Sequence, residues 1–221
     1  KEENTIQFNY FINNELINIK YRDGRKNFKL VKGAEKVFYN IDSTVGHNSV
    51  VIVEGEMDAL SFIESGVQSV VSVPNGATLN RLNLDYLDNC IEYFEDKSKI
   101  ILAVDGDEAG QNLQQELIRR FGAEICYTIS FGDYKDANEY LLSYGSSMLK
   151  RLVDQAEPVP LENVVTLKDI DNELQEFIHE GFKPGYQVGL DNFDNIFSTY
   201  TGQFITVTGV PSSGKSDFVD R

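Results

Sequence analysis

Acidic residues recur in this chain where an apolar run gives way to glycine. Glu54 closes the run VVIVE and precedes Gly55 in VEGEMDAL; Asp105 and Asp107 flank Gly106 in AVDGDEAG; Asp133 and Asp136 stand in FGDYKDANEY. Carboxylates brought within a few ångströms repel, and a buried set does not stay ionised without a compensating charge. A divalent cation supplies one. Magnesium takes oxygen ligands and is commonly held by one or two carboxylates, with waters and substrate phosphates completing the shell. Such a site performs phosphoryl transfer, and two ions about 3.5–4 Å apart would activate an attacking hydroxyl and stabilise the leaving oxygen. Glu54, Asp105 and Asp107 are the candidate catalytic residues. Gly55 and Gly106 are expected to allow the sharp turns that let these acids converge. Acids at strand-to-helix junctions also cap the next helix, and Asp58 and Glu108 are compatible with that role alone.

A second cluster is basic. Residues 20–36 hold Lys20, Arg22, Arg25, Lys26, Lys29, Lys32 and Lys36 against Asp23 and Glu35, a net of +5 in a chain of net charge −15. The rest of the chain therefore carries −20. A basic stretch beside a strongly acidic body suits a site that handles phosphates and cations together. A solvated hairpin with a chance run of charge is the plainer alternative.

The third motif is GVPSSGKS at 209–216, a full G-x-x-x-x-G-K-[ST] phosphate loop that follows the apolar run QFITVT. In such loops backbone amides cradle phosphates, here with Gly209 and Gly214 shaping the loop, Lys215 reaching the outer phosphates and Ser216 a magnesium ion. The chain stops at Arg221, soon after the motif. The expectation is therefore a fragment of a longer protein, with no ATP hydrolysis by this chain alone.

The elements that must position these residues can be read from hydrophobic period. Residues 5–12 and 15–22, separated by Asn13-Asn14, read as a hairpin, and 27–31 as a third strand. From Ser49 the rhythm changes to strands alternating with helices. Strands are expected at 50–54, 69–73, 99–105 and 125–129, and helices at about 56–65, 81–95, 108–121, 136–144 and 146–155. This is an α/β fold with a Rossmann-like parallel sheet and flanking helices, preceded by a small, mostly β subdomain. Ligands of open parallel sheets bind beyond the carboxyl ends of the strands, and a 2-1-3-4 strand order would set Glu54 beside Asp105. Residues 156–165 read as a linker, 169–180 as an amphipathic helix striped by Ile170, Leu174, Phe177 and Ile178, and 203–208 as a strand of a further α/β unit. The expected domains are 1–48, 49–157, a linker over 158–184, and 185–221.

No run of about 18 apolar residues exists, which argues against a membrane span. KEENTIQ lacks an export-signal pattern. Cys90 and Cys126 are far apart with no C-x-x-C partner, which argues against a disulfide framework or a zinc site. A reducing, intracellular compartment is expected. His47 and His179 are single residues read as surface positions, and Tyr10, Tyr39 and Tyr93 as core or strand residues without a nucleophile's surroundings.

Taken together, VEGEMDAL, VDGDEAG and KDANE resemble the TOPRIM domain of primases and topoisomerases. Lys20-Tyr21-Arg22, Asn27-Phe28-Lys29, Ser72-Val73-Pro74-Asn75-Gly76-Ala77 and Lys135-Asp136-Ala137-Asn138 narrow the resemblance to the phage-type, twinkle-like bifunctional primase-helicases, with the start of a RecA-like helicase domain at the C-terminus. The resemblance implies a DNA primase that joins nucleoside triphosphates into RNA primers on single-stranded DNA, using magnesium or, in its place, manganese. It places Glu54 as catalytic glutamate and general base. Asp105 and Asp107 become the metal-binding pair, Asp136 a further metal-site acid and Asp58 an accessory one. Lys20, Arg22 and Lys29, with Lys135, would bind nucleotide or nucleic acid. It implies ATP at the helicase half and a homo-oligomeric ring in the longer protein, with the helix at 169–180 docking on a neighbouring subunit; packing on its own domain is the alternative. The compartment implied is the cytoplasm of a bacterium or phage-infected host, at the nucleoid. The family's usual zinc-binding module is not encoded in this stretch. A catalytically silent coupling module of a replicative helicase, and a TOPRIM nuclease or topoisomerase fragment, remain open beside the primase reading.

Overall fold

The computed structural model describes residues 5–75, 84–161, 170–181 and 185–220. It comprises two compact units, residues 1–162 and 163–221.

The first unit begins with three antiparallel strands, β1 (Ile6–Ile12), β2 (Glu15–Arg22) and β3 (Phe28–Leu30), in the order β1-β2-β3. Asn13 and Asn14 both adopt positive φ, 50° and 63°, the geometry that matches a hairpin's twist. Their backbone amides donate to the Asp42 carboxylate at 2.8 and 3.0 Å. In the next turn the left-handed residue is Lys26, φ 62°, rather than Gly24. Asp23 organises that turn, accepting from the amides of Arg25 and Asn27 and from the Asn27 side chain.

A five-stranded sheet follows, from β4 (Ser49–Val53), β5 (Val70–Ser72), β6 (Lys99–Ala103), β7 (Cys126–Thr128) and β8 (Glu157–Pro158), ordered β5-β4-β6-β7-β8. The first four are parallel in the expected 2-1-3-4 arrangement. The strand β8 is antiparallel to β7. Residues 157–158 are thus part of the sheet rather than of a linker.

The strands are continuously apolar because helices cover both faces. Val50, Ile52, Ile100, Leu102 and Val104 face one cluster, with Phe38, Leu113 and Leu117. Val51, Val53, Val70, Ile101 and Ala103 face the other, with Phe62, Tyr140 and Leu149. Each such Val, Leu or Ile buried from water contributes about 1.5–3 kcal/mol. The helices are α1 (Glu56–Glu64), α2 (Asp85–Asp88), α3 (Glu108–Phe121), α4 (Ala137–Tyr144) and α5 (Ser146–Asp154). The helix α3 ends at Gly122, φ 92°, whose amide donates to the Ile118 carbonyl at 2.9 Å. Within 81–95 the described part is not one helix but α2 followed by a 3-10 turn over Ile91–Tyr93. Residues 76–83 lie outside the described residues.

In the second unit, α6 (Asp171–Glu180), α7 (Asp191–Asp194) and α8 (Lys215–Val219) are formed. Of the expected stripe on α6, Leu174, Phe177 and Ile178 are exposed. The expected strand at 203–208 is not formed: no strand pairs with it among the described residues, and extended backbone becomes sheet only when a neighbour satisfies its amides.

Candidate active site

The carboxyl ends of β4 and β6 lie side by side, with Val53 in register with Ala103. Glu54 and Asp105 follow these positions by one and two residues. Both line a cavity of about 770 Å³, which Asp58 from α1 and Asp136 from the start of α4 also line. The sheet order therefore brings together acids up to 82 residues apart in sequence.

These carboxylates act on one another. Burial pushes the Asp58 carboxyl up to about 7, reinforced by Asp136, Asp105 and Glu54 and opposed by the Asn138 amide, which donates to it at 3.2 Å. Burial also raises Asp105, with Asp136 and Asp107 adding to the effect and Lys135 opposing it. The Lys135 ammonium stands 3.4 Å from Asp105 Oδ2 and is 60% exposed. Asp105 in turn raises the Lys135 pKa.

Two of the expected metal acids also do ordinary structural work. Asp107 caps α3, accepting from the Gly110 amide at 2.9 Å, and does not line the cavity. Asp136 caps α4, accepting from the Glu139 amide at 2.9 Å, and does line it. Among the described residues no three His, Cys, Asp or Glu stand close enough to hold an ion by themselves. The donor set nonetheless suits magnesium, which needs only one or two carboxylates when phosphates and waters supply the remaining oxygens. Burial first, and the neighbouring carboxylates after it, raise Asp58 and Asp105, and a bound cation would oppose that shift.

The glycines act otherwise than expected. Gly106 has ordinary backbone, and a Cβ there would meet nothing within 4 Å. The glycine that the site requires is Gly110, in the first turn of α3. A Cβ there would lie 2.2 Å from the Asp105 carbonyl oxygen, so only glycine lets this helix rest on the backbone of the acidic loop. A Cβ on Gly55 would lie 2.8 Å from Asp58 Oδ2, so that glycine leaves room for the carboxylate.

The basic strands border the same cavity: Lys20, Arg22, Lys26 and Lys29 all line it. Lys20 differs from the others. It is 7% exposed, and its ammonium donates to Glu56 Oε1 at 2.6 Å. The Tyr10 hydroxyl donates to the same oxygen. Glu56 itself is 2% exposed. Burial, then the Glu56 charge, holds the Tyr10 phenol protonated far above its usual range. This node joins the antiparallel sheet to α1, and sequence reasoning missed it. Its partners are 46 and 36 residues from Glu56, and the only local hint was a second glutamate in VEGEMDAL. Tyr86, raised by burial and by Glu54, is likewise buried and protonated. Neither phenol resembles an activated nucleophile.

Residues 51–141 match a family model described as Toprim-like. This stretch of the chain is a Toprim-like domain. The Toprim-like region is shared with several curated proteins. A Twinkle homolog protein, chloroplastic/mitochondrial, of Arabidopsis thaliana is 34% identical across 99% of this chain and 34% of its own length. A DNA helicase/primase of Enterobacteria phage T3 is 28% identical across 94% of this chain and 37% of its own length. The chain thus spans about a third of each. Among solved structures, the primase fragment of the bacteriophage T7 primase-helicase protein superposes with a TM-score of 0.58 at 27% identity, covering 66% of this chain and 61% of that one.

In the second unit the phosphate loop runs into α8. Gly214 adopts φ 78°, and Lys215 folds back so that its ammonium donates to the carbonyls of Gly209 and Val210 at 3.0 and 2.8 Å. Ser216 lies in the first turn of α8. Among the described residues no helix is long and apolar enough to cross a membrane. Both cysteines are buried, with thiols pushed up to about 11 chiefly by burial.

Proposed function

We propose that this chain is the primase part of a replicative primase-helicase, joining ribonucleotides into primers on a single-stranded DNA template. The observation that carries this reading is one cavity with two linings, carboxylates from the parallel sheet's edge and cations from the antiparallel strands. The names of the phage T3 relative and the T7 structural neighbour agree with it.

In this reading Glu54, Asp105, Asp107 and Asp136 hold magnesium, with Asp58 supporting them. Bound magnesium would neutralise the carboxylates and polarise the reacting phosphoryl group. Arg22 and Lys29, with Lys135 at the opposite rim, hold phosphates of the nucleotide or of the growing strand; such contacts make binding salt-dependent. Glu54 takes the proton from the primer's 3′-hydroxyl as that oxygen bonds to the α-phosphorus of the incoming nucleotide, and pyrophosphate departs. Asp107 would serve as a magnesium ligand while capping α3, which ties the position of the acidic loop to that helix. Lys20 contributes chiefly by holding its strand on Glu56.

The loop at 209–216 belongs to an ATP-dependent helicase half of the longer protein. There Lys215 must exchange its two loop carbonyls for phosphate oxygens. The exposed stripe of α6 serves assembly into a homo-oligomeric ring. The compartment proposed is a reducing one, in keeping with two buried thiols. Primer synthesis by the purified chain on single-stranded DNA, with magnesium or manganese and ribonucleotides, tests the central reading. Activity is expected in the wild type and a roughly 100- to 10,000-fold loss in Glu54→Gln, the usual contribution of a general base. Unimpaired synthesis by Glu54→Gln and Asp105→Asn would overturn the assignment.

A further inference from the structure

The inner face of the antiparallel sheet does not end where the domain beneath it ends. Cross-strand neighbours on that face run from Tyr10 and Asn18, through Phe8 and Lys20, to Arg22 and Phe28. Burial falls along this line: Tyr10 is 0% exposed, Phe8 4%, and Phe28 53%. At its open end the face borders the same cavity as Glu54 and Asp105. Phe28 is thus an aromatic ring left half in solvent on the face that otherwise forms the core, beside the reacting edge.

Its surroundings are cationic. Lys20 Nζ lies 4.9 Å and Arg22 Cζ 5.6 Å from the ring centroid. Both cations come from β2. The strand β3 is the last of its sheet, so among the described residues no strand lies on its other side, beside the Phe28 ring. Lys26 and Lys29 flank Phe28 in sequence and line the cavity as well. An aromatic surface set among phosphate-binding cations is the arrangement by which proteins hold single nucleotides or single strands. The cations take the backbone charge, and the ring takes a base face regardless of base identity.

We infer that Phe28 is a stacking platform for one nucleobase, whose phosphate is held by Arg22, Lys26 and Lys29. The inference deepens the nucleotide-joining reading of the same site and rests on it. The base belongs either to a free nucleoside triphosphate or to a single strand, and the two are separable by experiment. Phe28 could instead serve only to hold Lys20 and Arg22 in place, and a ligand with phosphates but no base exposes that case.

Binding of ATP, of a short single-stranded DNA and of inorganic tripolyphosphate, each with magnesium, is measured on the whole chain carrying Lys215→Ala, which removes the second unit's loop from the comparison. Into this background Phe28→Leu and Phe28→Trp are introduced. Leucine keeps an apolar side chain at this half-exposed edge position without a π face, and unchanged circular dichroism verifies folding. Phe28→Leu is expected to weaken ATP or DNA roughly 5- to 100-fold, leave tripolyphosphate unchanged, and be rescued by Phe28→Trp. Loss confined to ATP assigns the base to the incoming nucleotide, and loss confined to DNA assigns it to the strand. Equal binding by Phe28→Leu, or an equal loss for tripolyphosphate, overturns the inference. A wild type that makes no primers yet shows the base-dependent loss would remove the primase reading alone; normal primer synthesis without that loss would remove the stacking role alone.

Discussion

Two glutamates separated by one glycine live under opposite electrostatic regimes. Glu56 points into the core, where Lys20 and Tyr10 both donate to it and the whole group is buried. Glu54 lines an open cavity with Asp58, Asp105 and Asp136, where the Lys135 ammonium beside Asp105 is largely exposed. The first arrangement is closed: the chain supplies the counter-charge, and the result is adhesion between the antiparallel sheet and α1. At the second, burial chiefly holds Asp58 and Asp105 above their usual range, with neighbouring carboxylates adding to it and Lys135 opposing it at Asp105. Glu56 has its cation built into the fold, and in the proposed reading the edge acids would meet theirs in bound magnesium.

Exchanging the two roles by mutation gives the sharpest break. Glu56→Ala leaves a buried ammonium without its carboxylate and should lower unfolding free energy by about 3–5 kcal/mol, read from urea denaturation. Glu54→Gln should remove primer synthesis while leaving the urea midpoint unchanged or raised, since it relieves like-charge repulsion. If both variants destabilised equally, the contrast would be lost. Gly110→Ala should have an intermediate effect. Its methyl group collides with the Asp105 carbonyl, so a loss of about 1–3 kcal/mol is expected from overpacking, with reduced synthesis as the acidic loop shifts. An alanine variant with wild-type stability would show that α3 does not hold that loop. The smallest effect concerns pH. The Asp58 carboxyl lies near 7 in the fold against an ordinary 3.8, so the folded state binds its proton more tightly than the unfolded one. In metal-free solution its contribution to stability is therefore intact below about pH 4 and declines as pH rises toward 7. Asp58→Asn should flatten that decline, and a pH profile identical to wild type would show that the edge acids are not in conflict.

Much of the architecture was legible because it is local. VVIVE and KIILAVD are continuously apolar, as strands covered on both faces must be, and the parallel pairing of the first four strands follows from their alternation with helices. Glu54 and Asp105 were legible for the same reason, since strand ends are where such sheets bind ligands. What escaped depends on distant or spatial partners. Glu56 cannot be told from a solvent-facing helix residue without Tyr10 and Lys20. Gly110 reads as a poor helix former until the Asp105 backbone is set against it. Asp107, expected as a metal acid, also caps α3, a role the sequence pattern did not separate from metal binding. QFITVT has the composition of a strand but pairs with none among the described residues, since composition does not provide a neighbour.

The short strand β8 also limits how another backbone can add to its edge of the five-stranded sheet. Glu157 and Pro158 occupy the outer position of the five-stranded sheet, opposite Thr128 and Tyr127. Proline carries no amide hydrogen, and two residues offer almost no ladder for another backbone to extend. That margin is closed to runaway strand-by-strand polymerisation, the route by which exposed sheet borders seed fibrils.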